Sequence, residues 1–179
     1  NWLVLTETTV DQRVLQALPT SALQLGTLES SVDNLAETER LLRQALASTV
    51  SAAGIIVCLG ADRADDDQAE RCAILCCRLQ CLLVALGGII DLPQGFKVCI
   101  VTRAAIPLDG IEVTGLARAG LAAMLRSVAL EYPGLALQQI DLDNQPGDGD
   151  LQVLAAAVAS DGEIQLAIRD GLVRASRLR

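Results

Sequence analysis

Residues 115–143 read GLARAGLAAMLRSVALEYPGLALQQIDLD, and the order of elements in that stretch decides the fold. Its first part is a helix of Ala, Leu and Arg over 115–131. Glu131-Tyr132-Pro133-Gly134 ends it, because proline offers no N–H to continue the ladder and glycine suits the exit. The chain then passes at once into an apolar strand over 135–141 that closes on Asp141-Leu142-Asp143. A helix feeding directly into such a strand is the repeating half-unit of a parallel α/β sheet.

The same alternation extends in both directions. Upstream, 2–6 (WLVLT) reads as a buried strand, followed by a short helix over 11–18 that Pro19 ends. Residues 22–28 form a weaker strand. A long amphipathic helix over 32–53 follows, capped by Asp33, with Leu35, Leu41, Leu42, Leu46 and Val50 on its inner stripe. The run IIVCLG at 55–60 is continuously apolar, as in strands covered on both faces. An acidic loop, ADRADDDQ, leads to a cysteine-bearing helix over 69–86, and 96–102 (FKVCIVT) is a fourth strand. Downstream, NQPGDG at 144–149 is a turn, and an Ala-rich helix spans 151–160. Runs at 163–169 and 172–178, parted by Asp170-Gly171, predict a closing hairpin. The expected fold is α/β, a truncated Rossmann-like, mostly parallel, doubly wound sheet with a C-terminal hairpin, forming one domain over residues 1–179.

Composition bounds what such a domain can do. The 179 residues are 51% hydrophobic with a mean hydropathy of +0.40, yet no apolar run reaches the ~20 residues that cross a bilayer. No basic lead-in marks a signal peptide, so a cytoplasmic protein is expected. The apolar excess points to surface covered by a neighbouring domain or subunit. A net charge of −8 and 2% aromatics exclude the basic stripes and stacking platforms of nucleic-acid binders, and equally an anionic membrane.

Candidate chemistry is sparse. There is no histidine, so a Ser-His-Asp triad is impossible. Cys58 and Cys99 lie in strand-like runs as small hydrophobes. Cys72, Cys76, Cys77 and Cys81 share one helix, where Cys77 and Cys81 point away from Cys72; they cannot close a tetrahedron around zinc, and buried thiols are the favoured reading. Disulfides are not expected in a reducing compartment. The loop after the first strand, Glu7-Thr8-Thr9-Val10-Asp11, lacks the glycines of a phosphate cradle and carries two acids that would repel phosphate. Tyr132 has neither Lys nor Asn four residues on, at Ala136, and reads as a helix-end packing residue rather than a catalytic acid. Asp65, Asp66 and Asp67 read as solvated caps in preference to a metal site. Asp141 and Asp143 share one strand face where α/β folds place ligands, but without a third ligand or base an exposed strand terminus is the favoured reading.

An ordered series of motifs adds a resemblance. These are Trp2-Leu3-Val4, the GIIVCLG strand, Val101-Thr102-Arg103, Gly115-Leu116-x-Arg118 with Arg126-Ser127-Val128-Ala129-Leu130-Glu131-Tyr132-Pro133, Ile140-Asp141-Leu142-Asp143, and the tail EIQLAIRDG at 163–171. Together they resemble the structural, cofactor-free subdomain of ketoreductase regions in modular type I polyketide synthases, over nearly the whole chain. Val113-Thr114 stand where that family has a tryptophan, Tyr132 replaces its usual histidine, and Ala119–Ala122 are unusual. These departures favour a divergent ketoreductase region or a pseudo-ketoreductase.

The resemblance implies a non-catalytic scaffold that supports a separate catalytic half, which binds NADPH and reduces a β-ketoacyl chain held on acyl carrier protein. The implied partners are that half or an adjacent enoylreductase, dehydratase or methyltransferase domain of the same polypeptide. It transfers no catalytic, cofactor-binding or metal-ligating residue to this chain, because no position matches one. Two other readings stand beside it: a free-standing degenerate Rossmann-fold protein that binds a small molecule or cofactor, and a receiver-like module. The last has only Asp62 and Asp65–Asp67 in its favour, and Lys97 begins its strand instead of ending it.

Overall fold

The computed structural model describes residues 1–19, 22–28, 34–49, 51–61, 67–89, 92–108 and 113–175. Within them one sheet is built from β1 (Trp2–Thr6), β2 (Ala22–Thr27), β3 (Gly54–Cys58), β4 (Lys97–Arg103), β5 (Ala136–Leu142), β6 (Gln165–Arg169) and β7 (Leu172–Ala175). Its order is β2-β1-β3-β4-β5-β6-β7. Every pairing is parallel except β6–β7. The expected truncated, doubly wound fold is therefore observed. The closing hairpin is present too, turning through Asp170 and Gly171, both at positive φ. Its first strand does more than close the chain, since β6 also extends the parallel sheet by pairing with β5.

Strand side chains alternate between two cores. Leu3, Leu5, Ile55, Val57, Val98 and Ile100 face one side, where α2 (Leu35–Ser48), α3 (Gln68–Gly87) and α4 (Leu116–Glu131) supply Leu42, Leu79, Leu82, Leu121 and Leu125. Trp2, Val4, Ile56, Cys58, Cys99, Val101 and Ile140 face the other, against α1 (Gln12–Gln16) and α5 (Asp148–Ala159). Both faces are covered, which is why these strands read as continuous apolar runs.

Two helices start elsewhere than the sequence predicts, and α2 also ends at Ser48, capped by Thr49, instead of running to 53. Helix α2 starts after Asn34, whose side chain accepts from the N–H groups of Ala36 and Glu37 at 2.9 and 3.3 Å. The expected cap, Asp33, lies outside the described residues, as does Val50. Leu35, expected on the inner stripe, sits in the first turn and is 45% exposed; the buried residues are Thr38, Leu42 and Ala45. Helix α5 begins at Asp148 instead of 151 because the Asp150 carboxylate accepts the Gly147 N–H at 2.9 Å, making the end of the turn the first turn of the helix.

Close packing of α3 on α4 explains the unusual Ala119–Ala122 run. A Cβ on Gly120 would lie 2.7 Å from the Cys72 sulfur, so the missing side chain lets the two helices meet there. Tyr132, at the C-terminal cap of α4, lays its ring against Gly87, where a Cβ would sit 2.7 Å from the ring edge.

Candidate functional site

In doubly wound sheets ligands sit beyond the carboxyl ends of the strands, where the strand order reverses. Here that point lies between β1 and β3. Glu7 follows β1 directly, and its N–H donates to the Cys58 carbonyl at 2.9 Å. That bond turns the side chain inward, and its carboxylate has no solvent exposure. Oε2 accepts the Gly60 N–H at 2.8 Å and an Arg118 guanidinium N–H at 3.0 Å. Oε1 accepts from Arg71 of α3. Arg118, in the first turn of α4, is itself wholly buried. Burial lowers its pKa, and the Glu7 charge pulls it back up. Beside it the Gln68 side chain accepts the Ala117 N–H at 3.1 Å and ties the start of α4 to the start of α3.

The two acids after β1 thus do not face solvent together as a repulsive loop. Glu7 is neutralised inside the crevice, and Asp11 caps α1 by accepting the Arg13 N–H at 2.9 Å. Sequence reasoning missed Arg118 as a partner. The available signal was its spacing: Arg118, Leu121 and Leu125 fall on one stripe of α4, and a charge on an apolar stripe requires a buried counter-charge.

A second network spans the ends of β4, β5 and β6. Asp141, read from sequence as an exposed strand terminus, is fully buried. Its Oδ1 accepts the Thr102 hydroxyl at 2.6 Å and the Ala105 N–H at 2.9 Å. Its Oδ2 accepts the Ile106 N–H at 3.2 Å and an Arg169 N–H at 2.5 Å. The second Arg169 terminal nitrogen donates to the Asp141 and Ile168 carbonyls. β6 covers this strand end, which is why the exposed reading fails. Asp143 lies past the end of β5, half-exposed, and its carboxylate approaches the Arg169 Nε at 3.7 Å.

The remaining candidates separate. Lys97 lies at the opposite, amino end of the sheet, where its ammonium donates to the Val158 carbonyl at 2.8 Å and to the Ser160 carbonyl at the end of α5. Burial lowers its pKa. Asp67 caps α3 through the N–H groups of Ala69 and Glu70; Asp62, Asp65 and Asp66 lie outside the described residues. All six cysteines are free. Burial raises the pKa of Cys58 strongly and pushes Cys99 up to about 12. Burial, with Cys72 beside it, lifts Cys76 to about 11. The Cys81 sulfur lies 3.6 Å from the Thr38 hydroxyl, and Cys77 is exposed. Among the described residues no three His, Cys, Asp or Glu side chains are grouped to hold a metal, and no helix is long and apolar enough to cross a membrane.

A model of the Rossmann fold domain of the polyketide synthase extender module SpnB matches residues 3–178. The spectinabilin polyketide synthase system protein NorA′ of Streptomyces orinoci is 39% identical over 83 residues, 46% of this chain and 2% of that protein. A C2-type ketoreductase from a modular polyketide synthase superposes with a TM-score of 0.73 at 24% identity, covering 97% of this chain and 38% of its own. The first ketoreductase of the tylosin polyketide synthase gives a TM-score of 0.67 at 26% identity, covering 96% and 37%. The chain therefore spans well under half the length of these ketoreductases, and a small fraction of NorA′.

Proposed function

The chain belongs to the family of polyketide synthase Rossmann-fold domains typified by the SpnB module, and from that premise we propose that it is a non-catalytic structural unit of a ketoreductase region. The observation that carries this reading is the Glu7 carboxylate at the switch point. A dinucleotide pyrophosphate needs free backbone N–H donors and positive charge there. In this chain the Gly60 N–H and guanidinium N–H groups of Arg71 and Arg118 are directed at Glu7 instead. A second anion brought to that point finds those donors engaged by the Glu7 carboxylate and no glycine-rich turn to receive it. The residues present do not fit NADPH, and the reduction implied for the region falls to the part of the polypeptide outside this chain.

As a scaffold, the domain supports the catalytic half or an adjacent processing domain of the same polypeptide by covering its apolar surface. Two measurements test the reading. Calorimetric titration of this chain with NADPH and NADH is expected to show no binding tighter than about 1 mM, or ~4 kcal/mol. Deleting it from the parent polypeptide is expected to lower both solubility and ketoreduction. Full activity and unchanged thermal stability after deletion would refute the scaffold role.

A further inference from the structure

We infer that Cys72, Cys76 and Met124 form a binding site for a soft monovalent metal ion, Cu(I), at the seam between α3 and α4. Cys72 and Cys76 stand one turn apart on the same face of α3, and their thiols hydrogen-bond each other. Both are half-buried, unlike Cys58 and Cys99, which the sheet and its helices enclose completely. The other two thiols of α3 are set apart. The Cys81 sulfur lies 3.6 Å from the Thr38 hydroxyl of α2, and Cys77 is exposed.

The third sulfur comes from the neighbouring helix. Three contacts set the register of α3 against α4: the Gln68 side chain accepts the Ala117 N–H, Cys72 meets Gly120, and Gly87 meets the Tyr132 ring. Residue numbers rise together along both helices, so they run parallel, as successive crossovers on one face of a parallel sheet do. One turn beyond the Cys72–Gly120 contact stand Cys76 on α3 and Met124 on α4. Met124 is the only methionine in the chain, and it packs half-buried against the same core cluster as Cys76. The seam is narrow at this level, because a side chain on Gly120 would strike the Cys72 sulfur.

The donors decide which ion such a set takes. Thiolate and thioether sulfur select soft ions, Cu(I) among them. Structural zinc needs a closed tetrahedron, and among the described residues no third His, Cys, Asp or Glu joins the pair. Calcium and magnesium need oxygen ligands. A disulfide does not compete for the thiols while α3 is intact. Side chains one helical turn apart have Cβ atoms about 5–6 Å apart, whereas a disulfide needs about 3.5–4.5 Å. An ion between the two sulfurs fills a gap too wide for an S–S bond. In the ion-free chain burial and the neighbouring Cys72 hold the Cys76 proton up to about 11. Binding therefore releases one proton from each thiol to solvent and forms two thiolate–copper bonds, while the Met124 sulfur donates a lone pair. No electron is transferred.

The test is an anaerobic titration of this chain with Cu(I) in competition with the chromophoric chelator bathocuproine disulfonate. A single ion per chain is expected to be withheld from the chelator, and an excess of Zn(II) is expected to leave it in place. Cys72→Ser and Cys76→Ser should each weaken binding about 100-fold or more, and Met124→Leu about tenfold. The pair Cys77→Ser/Cys81→Ser should leave binding unchanged. Met124→Leu keeps the side-chain volume, so its result stands even where a serine variant fails to fold. Complete transfer of the ion to the chelator overturns the inference, as does displacement by Zn(II). A loss in Cys77→Ser/Cys81→Ser as large as in Cys72→Ser also overturns it, because any thiol of α3 then serves. Unchanged affinity in Met124→Leu overturns the three-sulfur site.

Discussion

Asp141 offers the sharpest test of how this fold is held together. Both carboxylate oxygens are fully engaged, by the Thr102 hydroxyl and Ala105 N–H on one side and by the Ile106 N–H and Arg169 on the other. Replacement by asparagine keeps the shape but brings an NH₂ group against donors at either oxygen. The conflict is worst at Oδ2, where both neighbours can only donate. It also leaves the Arg169 guanidinium, 2% exposed, without its buried counter-charge. Breaking one partner of a buried pair costs about 3–5 kcal/mol, a large fraction of the 5–15 kcal/mol that holds a domain folded. Asp141→Asn and Asp141→Ala are therefore both expected to lose about 3–5 kcal/mol in urea denaturation. Arg169→Met, which removes the charge but keeps much of the stem, is expected to lose less. The double variant Asp141→Ala/Arg169→Met must fall short of the sum by about 2 kcal/mol or more. It cannot return to the parent value, because the buried Ala105 N–H stays unsatisfied at about 1–3 kcal/mol. A cost under 1 kcal/mol for Asp141→Asn, or additivity within 0.5 kcal/mol, would refute this account.

Two further perturbations address the helices and the strands. Gly120→Val is expected to destabilise by about 1–3 kcal/mol through overpacking against Cys72, and Cys72→Ala in that background should restore at least half, read from the urea midpoint; no rescue means the close approach is not where the cost arises. The buried thiols Cys58 and Cys99 keep their protons in the folded state well above the ordinary value of about 9, so unfolding releases protons at alkaline pH and stability falls as pH rises above 9, continuing for Cys99 to about 12. The limiting slope is about 1.4 kcal/mol per pH unit for each thiol, half of it at pH 9, so Cys58→Ala/Cys99→Ala should flatten the decline by roughly 2.7 kcal/mol per unit between about pH 10 and 11. Lys97, its pKa lowered by burial, contributes with the opposite sign, gaining stability as pH rises; it is present in both proteins and largely cancels from their difference. Parallel pH profiles for parent and variant would show that these thiols are not the source.

What could be read from the chain was whatever repeats locally. Strand runs such as Ile55–Leu59 and the helix-to-strand passage around Pro133 need only neighbours in sequence to be recognised, and they fix the sheet to within a residue or two. The capping residues were harder. Asn34 in place of Asp33, and Asp150 reaching back to Gly147, depend on which of several adjacent polar side chains has the right backbone geometry. The pairing of the buried charges was not legible: the place of Arg118 on an apolar stripe signals burial, but each partner lies far along the chain. Glu7 lies 111 residues from Arg118, and Asp141 lies 28 from Arg169. Asp141 also carries an ordinary sequence context for an exposed strand end, and only the addition of β6 to the sheet covers it.

On the scaffold reading proposed above, the Glu7 arrangement also accounts for how the domain holds its shape without a ligand. A cofactor-binding Rossmann domain gains RT ln(1 + [L]/Kd) from its ligand, so its stability follows the ligand's concentration. A scaffold that must hold its shape throughout a reduction cycle cannot depend on a molecule that leaves at every turnover. In our reading, Glu7 supplies the switch point with an anion that is covalently part of the chain and never dissociates. Its contacts tie the end of β1 to the end of β3 through Gly60, to α3 through Arg71 and to α4 through Arg118. Those last two helices pack on each other, so the residue that takes the place of a ligand also holds the pair in register. A shared anchor of this kind predicts that Glu7→Gln loosens α3 and α4 together. Hydrogen exchange at the first turns of both helices should rise in parallel, while α1 and α5 on the far side of the sheet keep the protection of the parent. Independent changes in α3 and α4 would show that the carboxylate couples nothing.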